Sequence, residues 1–174
     1  LLPGAGATVG GALIKDARIN GVVFTGSTET AQAINRSLAA RQGALIPFIA
    51  ETGGINALVA DSSALPEQIV NDVMASAFNS AGQRCSACRV LCVQQEIADR
   101  GLHLLQSALG EWMIGDPAQL TTEIGPVIDA DALELLKNHQ KKMRELASKG
   151  EAKVVYEMPL PPGIEQGTFS APCI

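Results

Sequence analysis

Three thiols fall close together in "SAGQRCSACRVLC": Cys85, Cys88 and Cys92. A cysteine is the side chain best suited to attack an electrophilic carbon, because even at a pKa of about 8.5 a few per cent is thiolate at neutral pH. The Cys85-x-x-Cys88 spacing also admits a redox pair or half of a zinc site. A structural zinc needs about four ligands, and the chain has no second CxxC. Its two histidines, His103 and His139, fall in stretches of helical periodicity and read as surface or groove residues. The default for a free cysteine is a small buried hydrophobe, which is the expectation for Cys88, Cys92 and Cys173. On a strand, Cys88 and Cys92 would face one side, toward the core.

Two further stretches carry groups that could serve such a thiol. In "IAETGG", Glu51 closes an apolar run and precedes Thr52, Gly53 and Gly54. A carboxylate at the C-terminal end of a parallel strand is where α/β enzymes place reactive groups, and glycines let a ligand approach the backbone. A solvated strand-end glutamate is the plain alternative. In "FTGST", a strand runs through Gly26 into Ser27 and Thr28 and a helix start. The free N–H groups and dipole there suit a phosphate, although a capped βα turn explains the same residues. "GAGATVGG" has glycines at 4, 6 and 10, which is the wrong spacing for a dinucleotide fingerprint.

The elements around these residues alternate. Gly6–Lys15 reads as a short helix, and "GVVFTG" (21–26) as a buried strand. A helix follows, capped by Ser27 or Thr28 and ended by Gly43. Strands are expected at 45–50 and 57–60. The next helix starts near Pro66 and stops at Gly82, with Ile69, Val70, Val73 and Met74 on its apolar face. A strand at 88–93 leaves Cys85 on the connection before it. Helices over about 95–113 and 130–149 flank an ordered loop, "GDPAQLTTEIGPVID". Lys137, Lys141 and Lys142 form a solvated helix face. The tail reads as a loop, "PLPPG", between two short strands. This pattern predicts an α/β fold with a largely parallel sheet.

Composition closes off other classes. Hydrophobic residues make up 47% of the 174-residue chain and charged residues 18%, so a packed core is expected. A net charge of −5 gives no reason to contact nucleic acid or an anionic membrane. No apolar run is long enough to span a bilayer. Four cysteines do not make a disulfide scaffold in a chain this long, and a reducing cytoplasm is expected. The chain opens on Leu1 and stops at Ile174 within what reads as a starting strand, as an excerpt of a longer protein would.

The order "FTGST", "ETGG", "GQRC", continued by "GDP", "IGPVID" and "TFSAP", resembles the aldehyde dehydrogenase superfamily along nearly the whole chain. The wording "IAETGGINALVADSSALPEQIVNDV" and "SAFNSAGQRCSA" is closest to the Δ1-pyrroline-5-carboxylate (glutamate-γ-semialdehyde) dehydrogenase domain of the bifunctional proline utilization A enzymes. Thr52 stands where other aldehyde dehydrogenases more often have Leu.

The resemblance implies part of a Rossmann-like NAD-binding domain over 1–52, followed by part of an α/β catalytic domain over 53–174. It implies Cys85 as nucleophile and Glu51 as general base. Gly26 and Ser27 would meet the NAD pyrophosphate, and Thr52 and Gly53 the nicotinamide region. Cys88 stands where relatives usually carry a residue such as Leu, in keeping with a packing role. Arg84 is expected to be a structural cation rather than a substrate anchor.

The implied reaction is NAD-dependent oxidation of an aldehyde to an acid through a thioester on Cys85, with glutamate-γ-semialdehyde as the expected substrate and no metal. The parent enzyme would be a cytoplasmic homo-oligomer. Further family elements fall outside these residues, so the excerpt alone is expected to be inactive. Two alternatives remain at this point: an aldehyde dehydrogenase of another substrate class, and a non-catalytic thiol or metal-binding module built on Cys85 and Cys88.

Overall fold

A computed structural model describes residues 1–174, and the chain divides into two compact units, Leu1–Gly54 and Ile55–Ile174. The first unit begins with a π-helical turn, Gly6–Gly10, that runs directly into α1 (Gly11–Lys15). Of the near-fingerprint glycines, Gly6 and Gly10 are therefore helical, not a turn after a strand. Strand β1 (Val22–Gly26) leads into α2 (Thr28–Ala39), whose Ala31 and Ile34 are buried. Strand β2 (Phe48–Thr52) lies parallel to β1, pairing Val22 with Phe48 and Gly26 with Thr52.

Two boundaries differ from expectation. Helix α2 ends at Ala39, with Gly43 lying beyond it at φ +102°. Strand β2 starts three residues late, because Pro47 has no N–H to give a ladder; its carbonyl still accepts from the Val22 N–H at 2.9 Å. The strand then continues through Glu51 and Thr52, both of which were expected beyond or at its end.

In the second unit, β3 (Asn56–Ala60) pairs in parallel with β4 (Cys88–Val93). Between them in sequence runs α3 (Pro66–Ala77), with Pro66 in its first turn, and α4 (Gln95–Gly110) follows β4. The parallel pairing is as expected, but it forms two separate two-stranded sheets, β1-β2 and β3-β4. The core joins Ala60 of β3 to Ile69, Val70, Val73 and Met74 of α3 and Leu105 and Leu109 of α4. Fully burying one such aliphatic side chain is worth about 1.5–3 kcal/mol. An exposed Arg100–Glu67 ion pair at 2.9 Å also joins α4 to α3 and adds little by comparison.

Helix α5 (Ala130–Ser148) is capped by Asp129, which accepts from the Ala132 N–H at 2.8 Å. The loop before it is ordered around buried Ile114, Ile124 and Val127. The tail strands are reduced to one antiparallel bridge, Glu157 with Cys173. No helix is long and apolar enough to cross a membrane.

One irregularity corrects the cysteine assignment. The β3–β4 register slips between Asn56 and Ala57, so that Asn56 pairs with Cys88 but Ala57 with Val90. Arg89 is the extra residue of a bulge, and a bulge reverses the alternation of everything after it. Cys88 is buried and Leu91 packs on the core, whereas Cys92 turns out to solvent. Cys173 is half-buried.

Candidate active site

In the first unit, the parallel register does the assembling. Thr25 pairs with Glu51 and Gly26 with Thr52, so the C-terminal ends of β1 and β2 lie side by side. Gly26, Ser27, Glu51, Thr52 and Gly53 are thereby brought to one strand edge. Gly26 has a packing reason of its own, since the Phe24 ring occupies the space a Cβ would need. The Ser27 hydroxyl oxygen accepts from the Thr30 N–H at 3.2 Å and sits 3.1 Å from Thr30 Oγ1, so it caps α2. The Thr28 and Glu29 N–H groups of the first turn have no intrahelical acceptor. Glu51 and Gly53 are exposed and Thr52 is half-buried.

In the second unit, Cys85 is exposed on the connection from α3 to β4. That connection is irregular. Ser80 (φ 57°), Ala81 (φ 52°) and Gly82 (φ 68°) are left-handed in succession. For non-glycine residues this costs about 1–2 kcal/mol each, so it persists only where the surroundings hold it. At Gly82 a Cβ would stand 2.7 Å from the Ala77 carbonyl oxygen, which leaves glycine as the residue that fits.

Side chains fasten the loop to main chain on both sides of the thiol. Arg89, the bulge residue, donates to the Gly82 carbonyl at 2.6 Å. Gln83 donates from Nε2 to the Ser80 carbonyl at 3.1 Å, and its Oε1 accepts from the Ile128 N–H at 2.8 Å. Arg84 donates to the Ala75 carbonyl at 2.7 Å and the Ser76 carbonyl at 3.3 Å, capping the C-terminus of α3. It is thus the structural cation expected. Asn56 Nδ2 donates to the carbonyls of Cys85 (2.7 Å) and Ala87 (2.9 Å). The Ala87 N–H closes a turn onto the Arg84 carbonyl at 3.1 Å. Beyond the turn, the Cys88 N–H donates to Ser76 Oγ and its thiol to the Val90 carbonyl.

The pattern of the aldehyde dehydrogenase family matches across residues 1–174. The chain belongs to the aldehyde dehydrogenase family. Among curated relatives, a bifunctional protein PutA from Klebsiella aerogenes is 58% identical over 83% of this chain and 11% of its own length. A 1-pyrroline-5-carboxylate dehydrogenase from Geobacillus thermodenitrificans is 37% identical over 75% of this chain and 26% of its own. The chain therefore spans a small part of the relatives it matches. Among solved structures, a Bradyrhizobium japonicum proline utilization A variant superimposes with a TM-score of 0.88 at 49% identity, covering 98% of this chain and 16% of that one. A betaine aldehyde dehydrogenase from Staphylococcus aureus, in complex with NAD+, gives 0.87 at 26% identity over 98% of this chain and 33% of that one.

Within this aldehyde dehydrogenase fold, sequence reasoning missed Asn56, Gln83 and Arg89. No spacing rule marks them, because each acts by a side chain hydrogen-bonding main chain, over 29 and 31 residues for Asn56 and 45 for Gln83. No three His, Cys, Asp or Glu side chains gather as metal ligands, and Cys88 is committed to the core. Cys173 is held protonated by burial first and the Glu157 carboxylate second, both of which raise its pKa. A groove of the second unit, lined by Val73, Phe78, Leu91 and Leu105, does not include Cys85.

Proposed function

We propose that this chain supplies the nucleophile, the general base and part of the NAD site of an enzyme oxidising glutamate-γ-semialdehyde to glutamate. The single observation carrying the reading is the Cys85 loop: an exposed thiol whose flanking peptides are pinned by Asn56 and by the Ala87 turn. The names of the PutA and 1-pyrroline-5-carboxylate dehydrogenase relatives support the substrate class.

The residues at the strand edge of the first unit fit a dinucleotide. A phosphate group suits the free N–H groups at the start of α2, beside Gly26 and Ser27, and Thr52 and Gly53 leave open backbone for a flat ring. NAD, when bound, supplies the hydride acceptor. The chain's own part begins with the Cys85 thiolate attacking the aldehyde carbon, which forms a C–S bond and leaves the carbonyl electrons on oxygen. The Cys85 backbone N–H is one donor to that oxyanion. Once the carbon has been oxidised, the acyl group remains on Cys85 as a thioester. Glu51 takes a proton from water as the water adds to this carbonyl; the C–S bond breaks, the acid leaves and the thiolate is restored.

The enzyme acts in the cytoplasm as a homo-oligomer, with no nucleic acid or metal in the reaction, and this span alone is inactive. An aldehyde dehydrogenase of another substrate class is separated from this reading by comparing aldehydes. In the full parent protein, NADH formation should be faster with glutamate-γ-semialdehyde than with a simple aliphatic aldehyde and should vanish in Cys85→Ser. A preference for the aliphatic aldehyde would overturn the substrate assignment, and an active Cys85→Ser would overturn the nucleophile.

A further inference from the structure

We infer that Gln83 is a positioning residue that braces the chain entering Cys85 against the segment before α5, with Thr168 supporting the brace from behind. The inference rests on Cys85 being the nucleophile. Both ends of the Gln83 amide are used. Its Nε2 donates to the Ser80 carbonyl at 3.1 Å, and its Oε1 accepts from the Ile128 N–H at 2.8 Å, 45 residues away in sequence. The first contact stays within the loop, where the same Ser80 carbonyl also accepts from the Gln83 backbone N–H at 3.1 Å. The second leaves the loop and ties it to a separate stretch of chain.

A brace is only as fixed as what it leans on, and Ile128 is held on both sides. Val127 before it is buried, 2% exposed. The Val127 N–H donates to the Thr168 carbonyl at 2.8 Å, and the Val127 carbonyl accepts from the Thr168 hydroxyl at 2.6 Å. Asp129 after it caps α5. The Ile128 N–H is thus a fixed donor, and Gln83 passes that fixity to the left-handed turn Ser80–Gly82 and to the thiol two residues further on. Gln83 is itself exposed. Exposed hydrogen bonds replace bonds to water and add little to stability, so this amide holds a position more than it holds the fold. Position is what the reaction needs, since a shift of about 1 Å at a reacting group can cost on the order of 10²-fold in rate.

The test is a double-mutant cycle in the parent enzyme. Gln83→Met keeps the length and loses the amide; Gln83→Glu keeps an acceptor for Ile128 and loses the donor to Ser80. Thr168→Val removes the hydroxyl behind the brace. Rapid mixing with NAD and glutamate-γ-semialdehyde would give the limiting rate of first-turnover NADH formation and the substrate concentrations that half-saturate it. Cys88 protection from iodoacetamide would report the intact fold. Expected for Gln83→Met is a rate lower by about 10–100-fold with half-saturation changed by less than roughly threefold. Gln83→Glu should lose less, and with Thr168→Val it carries the test if the Met variant does not fold. Thr168→Val should lose about 3–10-fold, and the Gln83→Met, Thr168→Val pair should match Gln83→Met alone within about twofold, because both lie on one line of contacts. A folded Gln83→Met with an unchanged rate, losses that multiply in the pair, or Cys88 exposed in every variant would overturn the brace. An active Cys85→Ser run alongside would instead overturn the nucleophile assignment on which it rests.

Discussion

The strand edge of the first unit and the Cys85 loop of the second position their groups by opposite means. At the strand edge, backbone pairing does the work: the β1–β2 register sets Glu51 beside Thr25 and Thr52 beside Gly26, and one hydroxyl cap finishes the helix start. Around Cys85 there is no regular element. Left-handed backbone at Ser80–Gly82 is held by donors from Gln83 and Arg89, while Asn56 ties the Cys85 and Ala87 carbonyls and Arg84 the end of α3. A strand edge tolerates substitution of one side chain, because main chain carries it. A loop tied by side chains should fail one tie at a time.

The largest effect that could break this contrast is chemical. In the parent enzyme, Cys85→Ser should lower aldehyde oxidation by on the order of 10⁴-fold or more, while Glu51→Gln should lose about 10²–10⁴-fold and do so in thioester hydrolysis. Steady-state and burst measurements of NADH would check both. Equal loss of the burst in the two variants would erase the distinction in role.

Next comes the loop's dependence on one glycine. Gly82→Ala combines a φ of 68° with a Cβ 2.7 Å from the Ala77 carbonyl, so a destabilisation of about 2 kcal/mol or more is expected. Urea unfolding would show it, and Cys88 should alkylate faster at sub-denaturing urea. At the strand edge, Ser27→Ala should cost only about 1 kcal/mol, the value of a helix N-cap. It should also weaken NAD binding in the parent enzyme; an unchanged NAD affinity would leave Ser27 as a cap alone.

The smallest effect is a pH dependence in the first unit. The Arg18 guanidinium and then the Arg18 backbone N–H hold the Asp16 carboxyl down at about 2, below its ordinary value of 3.8. A lowered folded-state pKa contributes stability above the unfolded value that is lost as pH falls through the folded one. Asp16→Asn should therefore show a small deficit near pH 6 that disappears toward pH 2. A deficit of equal size at both pH values would remove the charge from the explanation.

The same contrast explains what could be read from the sequence. Helices and strands with a clean apolar period were legible to within a few residues, from β4 at Cys88–Val93 to α5 at Ala130–Ser148. So was the placing of Glu51 and Ser27 at strand and helix ends, because turn residues punctuate those ends. The bulge at Arg89 was not, and with it went the expectation that Cys92 is buried; an inserted residue changes facing without changing composition. The β2 start was misplaced because Pro47 interrupts the ladder but not the apolar run. Asn56 could not be found by any local pattern. Its two acceptors lie 29 and 31 residues away in sequence, and only folding brings them within reach.

Trapping the acyl group tests the central claim most directly. The parent enzyme carrying Glu51→Gln would be mixed with NAD and glutamate-γ-semialdehyde, quenched in acid within the first turnover, and fragmented so that Cys85 and Cys88 are resolved. The account predicts an acyl group on Cys85, accumulating as NADH appears, with Cys88, Cys92 and Cys173 unmodified. NADH released without any acyl group on Cys85, or an acyl group on Cys88 instead, would contradict it.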